Sequence, residues 1–541
     1  MNSRSSLPRW TMLVLGTLSL VFLSIGVSSP LAAQEGASLT DDGLPPLPQS
    51  PIERAQKDGT ALPLSLKELT KLALQNNLDI AIQDTNEELS QLKILQSYGS
   101  YDPTLRISLG TTSTKSANIR STETGEDEYQ KNNTAQWNFT FTKPVQTGGQ
   151  IQAQWNSNRS DSNLTQNLFN PRYNSRGSIS FTQPLLRNLR IDSTRTQIKI
   201  ANLDLKTSDS QFKQRVTDTI SNIQTQYWNL VLAIQDYNIR RNSVRLAQIT
   251  LRDNKKKVEV GTMAPIEITD AEANMAQREV DLITAEENIL SQQNALRALI
   301  SNDRNSEIWS QVIVPTDMPD FQEYSIDLST AIDTALANRP ELEQSDISLT
   351  KIDVNRRLLE NNRKWTLDFT VSYGSTGDAR EFLKVYDSLF GDGFTNWNVG
   401  FDLQIPLRNR SMDAQIAQQK IQRQQELMRR KQTEQSIQVD VRNAVQQLET
   451  RRKQVATAGA SKRLSKERLE GEQKRVEAGL SQNYLVLERQ QQLAQAELAE
   501  MQAIINYKRA VINLQKAMYT LLEANDFEIA KESSSNIPDL K

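Results

Sequence analysis

Trp397-Asn398-Val399-Gly400-Phe401-Asp402-Leu403-Gln404-Ile405-Pro406 decides the fold. Its odd positions are apolar and its even positions polar or glycine, the period of a strand with two unlike faces. Pro406 ends the alternation, because proline has no amide hydrogen for a ladder and is tolerated at a helix start. A very long helical segment follows and runs to Val476-Glu477-Ala478-Gly479, where glycine permits the left-handed turn that reverses a chain. The same unit occurs earlier. Phe181-Thr182-Gln183-Pro184 closes a strand, and Val258-Glu259-Val260-Gly261 closes the helix after it. A unit stated twice predicts one large structure in two halves.

Composition narrows the chemistry. The 541 residues carry 63 Lys+Arg against 65 Asp+Glu, without the basic excess of a nucleic-acid binder. Cysteine and histidine are absent, which excludes disulfides, thiolate zinc sites, imidazole ligands and a Ser-His-Asp triad. No cofactor or metal is expected. A carboxylate enzyme with two facing acids stays chemically open, but the acids are scattered along helical faces and imply no pocket. A mean hydropathy of -0.57 excludes a helical membrane protein as a whole.

Residues 1–33 read as an export signal: Arg4 and Arg9, an apolar run from Thr11 to Val27, then small residues to Ala33. A retained membrane anchor is the alternative. Residues 34–63, with Pro45, Pro46 and Pro48, are expected to be a disordered leader. The first repeat then spans 64–301, a linker 302–327, the second repeat 328–523 and a tail 524–541. Ser65-Leu66-Lys67-Glu68 has the form of a capping box. The helix it opens carries Leu66, Leu69, Leu72 and Ala73 on one face, matched later by Leu328, Ala331, Ile332 and Ala335.

Six segments alternate with period two. Four lie in the first half, marked by Leu105/Ile107/Leu109, Trp137/Phe139/Phe141, Ile151/Ala153/Trp155 and Ile179/Phe181. Two lie in the second, marked by Trp365 to Tyr373 and by Trp397 to Ile405. The connections 111–133, 158–174 and 375–393 are long and polar, whereas Pro144 to Gly149 is a tight turn. Long outer loops and short inner turns are the habit of outer-membrane barrels. A soluble sheet with one wet face is the alternative; the export signal and the uniformly polar second face favour the barrel. An external hairpin over Trp137 to Asn156, outside lipid, is a further alternative. Six strands are too few to enclose a pore, whereas three copies would supply eighteen. Trp137, Trp155, Trp365 and Trp397 are expected at lipid interfaces.

The helices carry seams. From Leu189 to Val260 there is neither proline nor glycine, enough for roughly 100 Å of helix. Val216, Ile220, Ile223, Tyr227, Leu230, Ile234 and Tyr237 alternate steps of four and three, the spacing of a coiled coil. Ile437, Val441, Ala444 and Leu448 repeat it. The expected class is therefore an α+β membrane protein. A long coiled-coil helical domain, whose seams by themselves fit a simple core or a dimer zipper as well as a tunnel wall, joins a transmembrane antiparallel β-barrel shared between protomers, with an internal duplication.

In this combination residues 64–523 resemble the TolC family of outer-membrane efflux proteins. The resemblance rests on the helix starts at Leu66 and Leu328, on Pro184 and Pro406, and on the two glycine hairpins with Ile268-Thr269-Asp270 after the first. It implies a homotrimer in outer-membrane lipid, with helices crossing the periplasm to a membrane-fusion adaptor and an inner-membrane pump. The implied role is the exit duct of a tripartite efflux or type I secretion system. The family's members place two strands in each half, so the extra hairpin within 134–157 departs from the pattern. The resemblance assigns adaptor docking to Val260, Gly261, Thr262 and Met263, and to Ala478, Gly479, Leu480 and Ser481. It assigns an acidic entrance ring to Glu267, Asp270 and Glu488; an ordinary solvated helix face is the alternative. Leu485 stands where a closer relative would have an acid. A coiled-coil envelope scaffold without a pore is the second reading of the whole chain.

Overall fold

The computed structural model describes residues 44–117, 129–163, 168–391 and 394–525. The export-signal segment, residues 34–43 of the leader and 526–541 of the tail lie outside them. Residues 44–48 group with the N-terminal unit, and the described residues from Gln49 onward form the second.

The described part of the leader corrects the expectation of disorder. Helix α1 (Pro51–Asp58) starts at a reciprocal capping box, in which the Ser50 hydroxyl accepts from the Glu53 amide and Glu53 accepts from the Ser50 amide. Gly59 ends it in the left-handed conformation. Strand β1 (Ala61–Leu64) then pairs in parallel with β6 (Val312–Pro315). The 302–327 connection thus holds a strand rather than acting as a bare linker. The proline-rich composition concealed both elements, since the pairing partners lie far apart in sequence.

Helices α2 (Leu66–Asn76) and α3 (Leu78–Tyr98) lead to the sheet. The sheet is six-stranded and wholly antiparallel, in the order β2 (Thr104–Ala117), β3 (Tyr129–Pro144), β4 (Gln150–Ser162), β5 (Arg172–Pro184), β7 (Thr366–Ala379), β8 (Phe394–Gln404). Four strands come from the first half and two from the second, and β3 and β4 are full members rather than an external hairpin. The strands outrun their apolar cores. Polar pairs such as the rung Ser113–Asn133 and the diagonal Ser160–Asn132, linked by side-chain hydrogen bonds, extend the ladder into the expected loops.

Register puts every odd residue on one face. Leu109 faces Trp137, Phe139 faces Trp155, Phe181 faces Val371 and Tyr373 faces Trp397. Apart from Phe394, a few glycines and the terminal prolines, the even face carries Ser, Thr, Asn, Gln and a few charges. The sheet is also slanted. The row through Thr104 passes Thr142, Gln152, Ser180 and Ser372 and reaches Asn398, while β8 continues six residues further to Gln404. At about 3.4 Å per residue and about 4.8 Å per strand, this displaces the strand ends by about 20 Å over about 24 Å of width. The implied tilt is about 40°, within the range of closed barrels. Neither outer edge, β2 or β8, has a neighbour among the described residues.

Each half continues into a long helical hairpin. Helix α4 (Ser193–Glu259) has 67 residues, and its Asp192 cap accepts from the Arg195 amide at 2.7 Å. It returns as α5 (Ile266–Ile300). In the second half α6 (Leu328–Asn338) and α7 (Pro340–Asn362) precede β7, and α9 (Arg410–Glu477) and α10 (Asn483–Met518) follow β8. The short α8 (Phe382–Phe390) lies between β7 and β8, in a connection expected to be a polar loop. The seam residues are buried except Ile234, which is half-buried. Ile220, Ile223, Tyr227 and Leu230 are wholly inaccessible, and Ile437, Val441 and Leu448 pack with Tyr507, Ala510 and Leu514 of α10. Each buried aliphatic side chain contributes about 2 kcal/mol, so packing rather than helix propensity holds these long helices.

Tyr227 pins α4 to the inter-repeat segment. Its hydroxyl donates to Asp317 Oδ2 at 2.7 Å, and the same oxygen accepts from the Leu66 amide at 2.7 Å. Burial, reinforced by the Asp317 carboxylate, drives the Tyr227 hydroxyl well above the usual tyrosine range. Tyr519, the left-handed cap of α10, is pushed up to about 12, chiefly by burial, with Glu341 and Asp218 adding to it against the Thr217 hydroxyl.

Candidate functional site

The two hairpin tips are built alike, bond for bond. In the first, the amides of Val260, Gly261 and Thr262 donate to Lys256 O, Val258 O and Lys257 O at 3.1, 3.0 and 2.9 Å. In the second, those of Ala478, Gly479 and Leu480 donate to Lys474 O, Val476 O and Arg475 O at 3.1, 3.0 and 2.8 Å. This is the glycine-terminated helix end in which a left-handed residue satisfies the last carbonyls. Gly261 and Gly479 have φ of +75° and +74°. No atom lies within 4 Å of a Cβ added at either, so conformation rather than crowding demands glycine.

The tips hold apolar side chains in water: Val260 is 72% and Leu480 73% exposed. Gly261, Thr262, Ala478 and Gly479 are exposed, and Met263 and Ser481 half-buried. Side chains brace each turn. Asn254 Nδ2 donates to Glu267 O at 3.3 Å across the first hairpin, and the Ser481 hydroxyl donates to Glu472 in the second. Part of the basic run before the first tip is locally paired, Lys255 with Glu272 at 2.9 Å and Arg252 with Asp253 at 3.1 Å.

The acids fall at related places. Asp270 and Glu488 each stand nine residues past their glycine, and both are exposed. Glu267 is half-buried in the first turn of α5. Glu488 shares its charge with Arg489 at 3.9 Å and accepts from Gln492 Nε2 at 2.9 Å. Its field outside the protomer is weaker for that. Leu485 occupies the position matching Glu267, so the second tip carries one acid fewer there.

The tryptophans divide. Trp365, at the helix end of β7, is 51% exposed, and Trp397 is 77% exposed on the apolar face. Trp137 and Trp155 are covered in part by α8. Phe382 lies 5.8 Å from Trp137, and Tyr386 lies 5.6 Å from Trp155. The Trp155 indole donates to Ser175 Oγ at 2.8 Å, so its polar atom is satisfied within the sheet. Sequence reading missed α8 because nine residues are too few for a helical period to stand out. The run Phe382-Leu383 through Leu389-Phe390 was its only signal.

The profile of the outer membrane efflux protein family matches residues 145–302 and 331–518. Among solved structures the chain is similar to the CmeC outer membrane channel of Campylobacter jejuni. The TM-score is 0.61 at 20% identity, over 87% of this chain and 88% of that one. It is similar to the open state of the Neisseria gonorrhoeae MtrE outer membrane channel, with a TM-score of 0.57 at 17% identity, over 84% and 89%. It is likewise similar to the outer membrane protein VceC of Vibrio cholerae, with a TM-score of 0.58 at 14% identity, over 88% and 97%. At these identities the likeness is one of fold. No curated protein sequence matches the chain.

Proposed function

Because the chain belongs to the outer membrane efflux protein family, we propose that three copies close their sheets into one water-lined barrel in the outer membrane. The assembly serves as the exit duct of a tripartite efflux or type I secretion system. One observation carries this reading. The sheet is slanted like a barrel wall, apolar on one face and polar on the other, yet among the described residues neither of its edges has a neighbour. An open edge cannot stand in lipid, where unpaired amides and carbonyls find no water. With six alternating strands, β2 and β8 run in opposite directions. The β8 of one copy therefore meets the β2 of the next with antiparallel sense. Eighteen strands make a cylinder about 35 Å across, wide enough for an aqueous channel.

The long hairpins carry the duct through the periplasm, and their paired tips dock onto an adaptor and inner-membrane pump. Exposed Val260 and Leu480 on rigid turns fit such a contact, as do the flanking cations. Threefold symmetry turns Glu267 and Asp270 into acidic rings at the entrance, which favour cations. The chain itself supplies neither nucleotide site nor catalysis in this reading; the pump provides the energy. Planar-bilayer recording of the purified protein tests the proposal. Stepwise, cation-selective conductance from a trimer is the expected result. A protein that fractionates with outer membranes but never conducts would favour the poreless scaffold.

A further inference from the structure

Helix α8 sits on the face of the sheet that faces lipid in the proposed barrel, where a porin-like wall needs no cover. Val385 and Leu389 are buried against β5 and β7, with Phe382 and Tyr386 turned to the same side. The apolar arc does not stop at the sheet. Leu383 and Phe390, next on the helical wheel, are 74% and 82% exposed. Glu381, Lys384 and Asp387 fill the remaining arc, with Glu381 and Lys384 paired at 2.9 Å. Such a helix has the makeup of one lying in a membrane interface. It also lies toward the end of the strands remote from the long helices, beside Tyr173, Ser375 and Gly377.

Between α8 and the strands runs an apolar cleft of about 580 Å³, lined by Leu105, Phe139, Phe141, Ile179, Tyr373 and Phe390. Its volume is that of a ligand site, roughly 300–1,000 Å³. Gly177 forms part of the floor, and a side chain added there would meet nothing within 4 Å. The cleft is continuous with the apolar face of the sheet. We infer that it takes the acyl chain of a membrane lipid, which α8 clamps against the barrel wall. A polar solute finds few partners, since the lining is mostly carbon with Gln154, Ser178, Ser375 and Thr395 the polar exceptions, whereas an acyl chain enters sideways from the surrounding bilayer. The inference rests on the proposed lipid-facing orientation of the odd residues.

The test uses the full-length oligomer reconstituted in phosphatidylethanolamine vesicles, extracted in detergent, washed and weighed by native mass spectrometry. Wild type should keep one phospholipid per chain. Gly177→Phe, which fills the cleft from its open floor, should lose it while remaining oligomeric, and Gly177→Ala should keep it. Equal retention by Gly177→Phe, or none by wild type, overturns the inference. If Gly177→Phe fails to assemble, quenching by vesicles with chain-brominated phosphatidylcholine decides instead. Trp155 lines the cleft, so after extraction into detergent and washing away of bulk lipid the extra quenching of wild type over Trp155→Phe should persist; its loss on washing refutes occupancy. A wild-type protein that does not float with vesicles would instead sink the barrel reading beneath it.

Discussion

The slant of the sheet fixes where one copy should meet the next. Across one protomer and the closing step, six strand spacings make about 29 Å, and a 40° tilt over that width shifts register by about seven residues. Only an even shift keeps all apolar side chains on the outside, which leaves six or eight. Asn398, level with Thr104 of its own chain, should therefore oppose Gly110 or Thr112 of its neighbour. Either shift covers β8 from Phe394 to Gln404 along its whole length. Without a shift only about five of its residues would find partners, leaving about six unpaired rungs per seam at several kcal/mol each in lipid. The chain has no cysteine, so engineered pairs report cleanly. Asn398→Cys combined with Gly110→Cys or Thr112→Cys should oxidise to covalent dimers and trimers, since facing Cα atoms about 5 Å apart suit a disulfide. Asn398→Cys with Thr104→Cys should not link, being separated by about 24 Å within the chain. Preferential linking by the Thr104 pair, or linking by none, would refute the slanted closure.

Gly479→Val places a branched residue at φ +74° with no steric neighbour. It should cost only about 1–2 kcal/mol, preserving helicity and oligomer while weakening adaptor cross-linking at the tip; undiminished cross-linking would remove the tip's docking role. Charge reversal of Glu267 and Asp270 to lysine together should reduce cation preference in bilayer recordings, and unchanged selectivity would reject them as an entrance ring. Tyr227→Phe strips the hydroxyl from Asp317 and should destabilise by about 1–3 kcal/mol, read as an earlier denaturant midpoint; no shift would show the pin to be idle. Tyr519 holds its proton more tightly folded than unfolded, with a folded value of about 12 against 10. Its contribution is whole below pH 10 and is lost as pH rises towards 12. Tyr519→Phe should therefore flatten part of the alkaline loss of stability, and a melting profile unchanged between those pH values would contradict this.

Much of this fold was legible because its periods are long and unambiguous. Alternation at Trp397 to Ile405 marked β8, and the three-four spacing from Val216 to Tyr237 marked the buried side of α4. The tips were legible through Gly261 and Gly479, since few other residues accept their conformation. Three features were not. Strand β1 depends on a partner, β6, that sequence proximity cannot indicate. Helix α1 hid its capping box among prolines. Helix α8 owes its stability to the sheet it covers, with Gly377 allowing the close approach of Val385 and Leu389 backbone atoms. The local pairing of Glu488 with Arg489 likewise needed coordinates.

A three-dimensional image of the purified particle in a lipid nanodisc tests the central claim most directly. Three protomers around one axis, eighteen continuous strands and Asn398 of each beside Gly110 to Thr112 of the next are the result predicted. A single protomer with its sheet open, or a ring of twelve strands with β3 and β4 folded outside the wall, would contradict it.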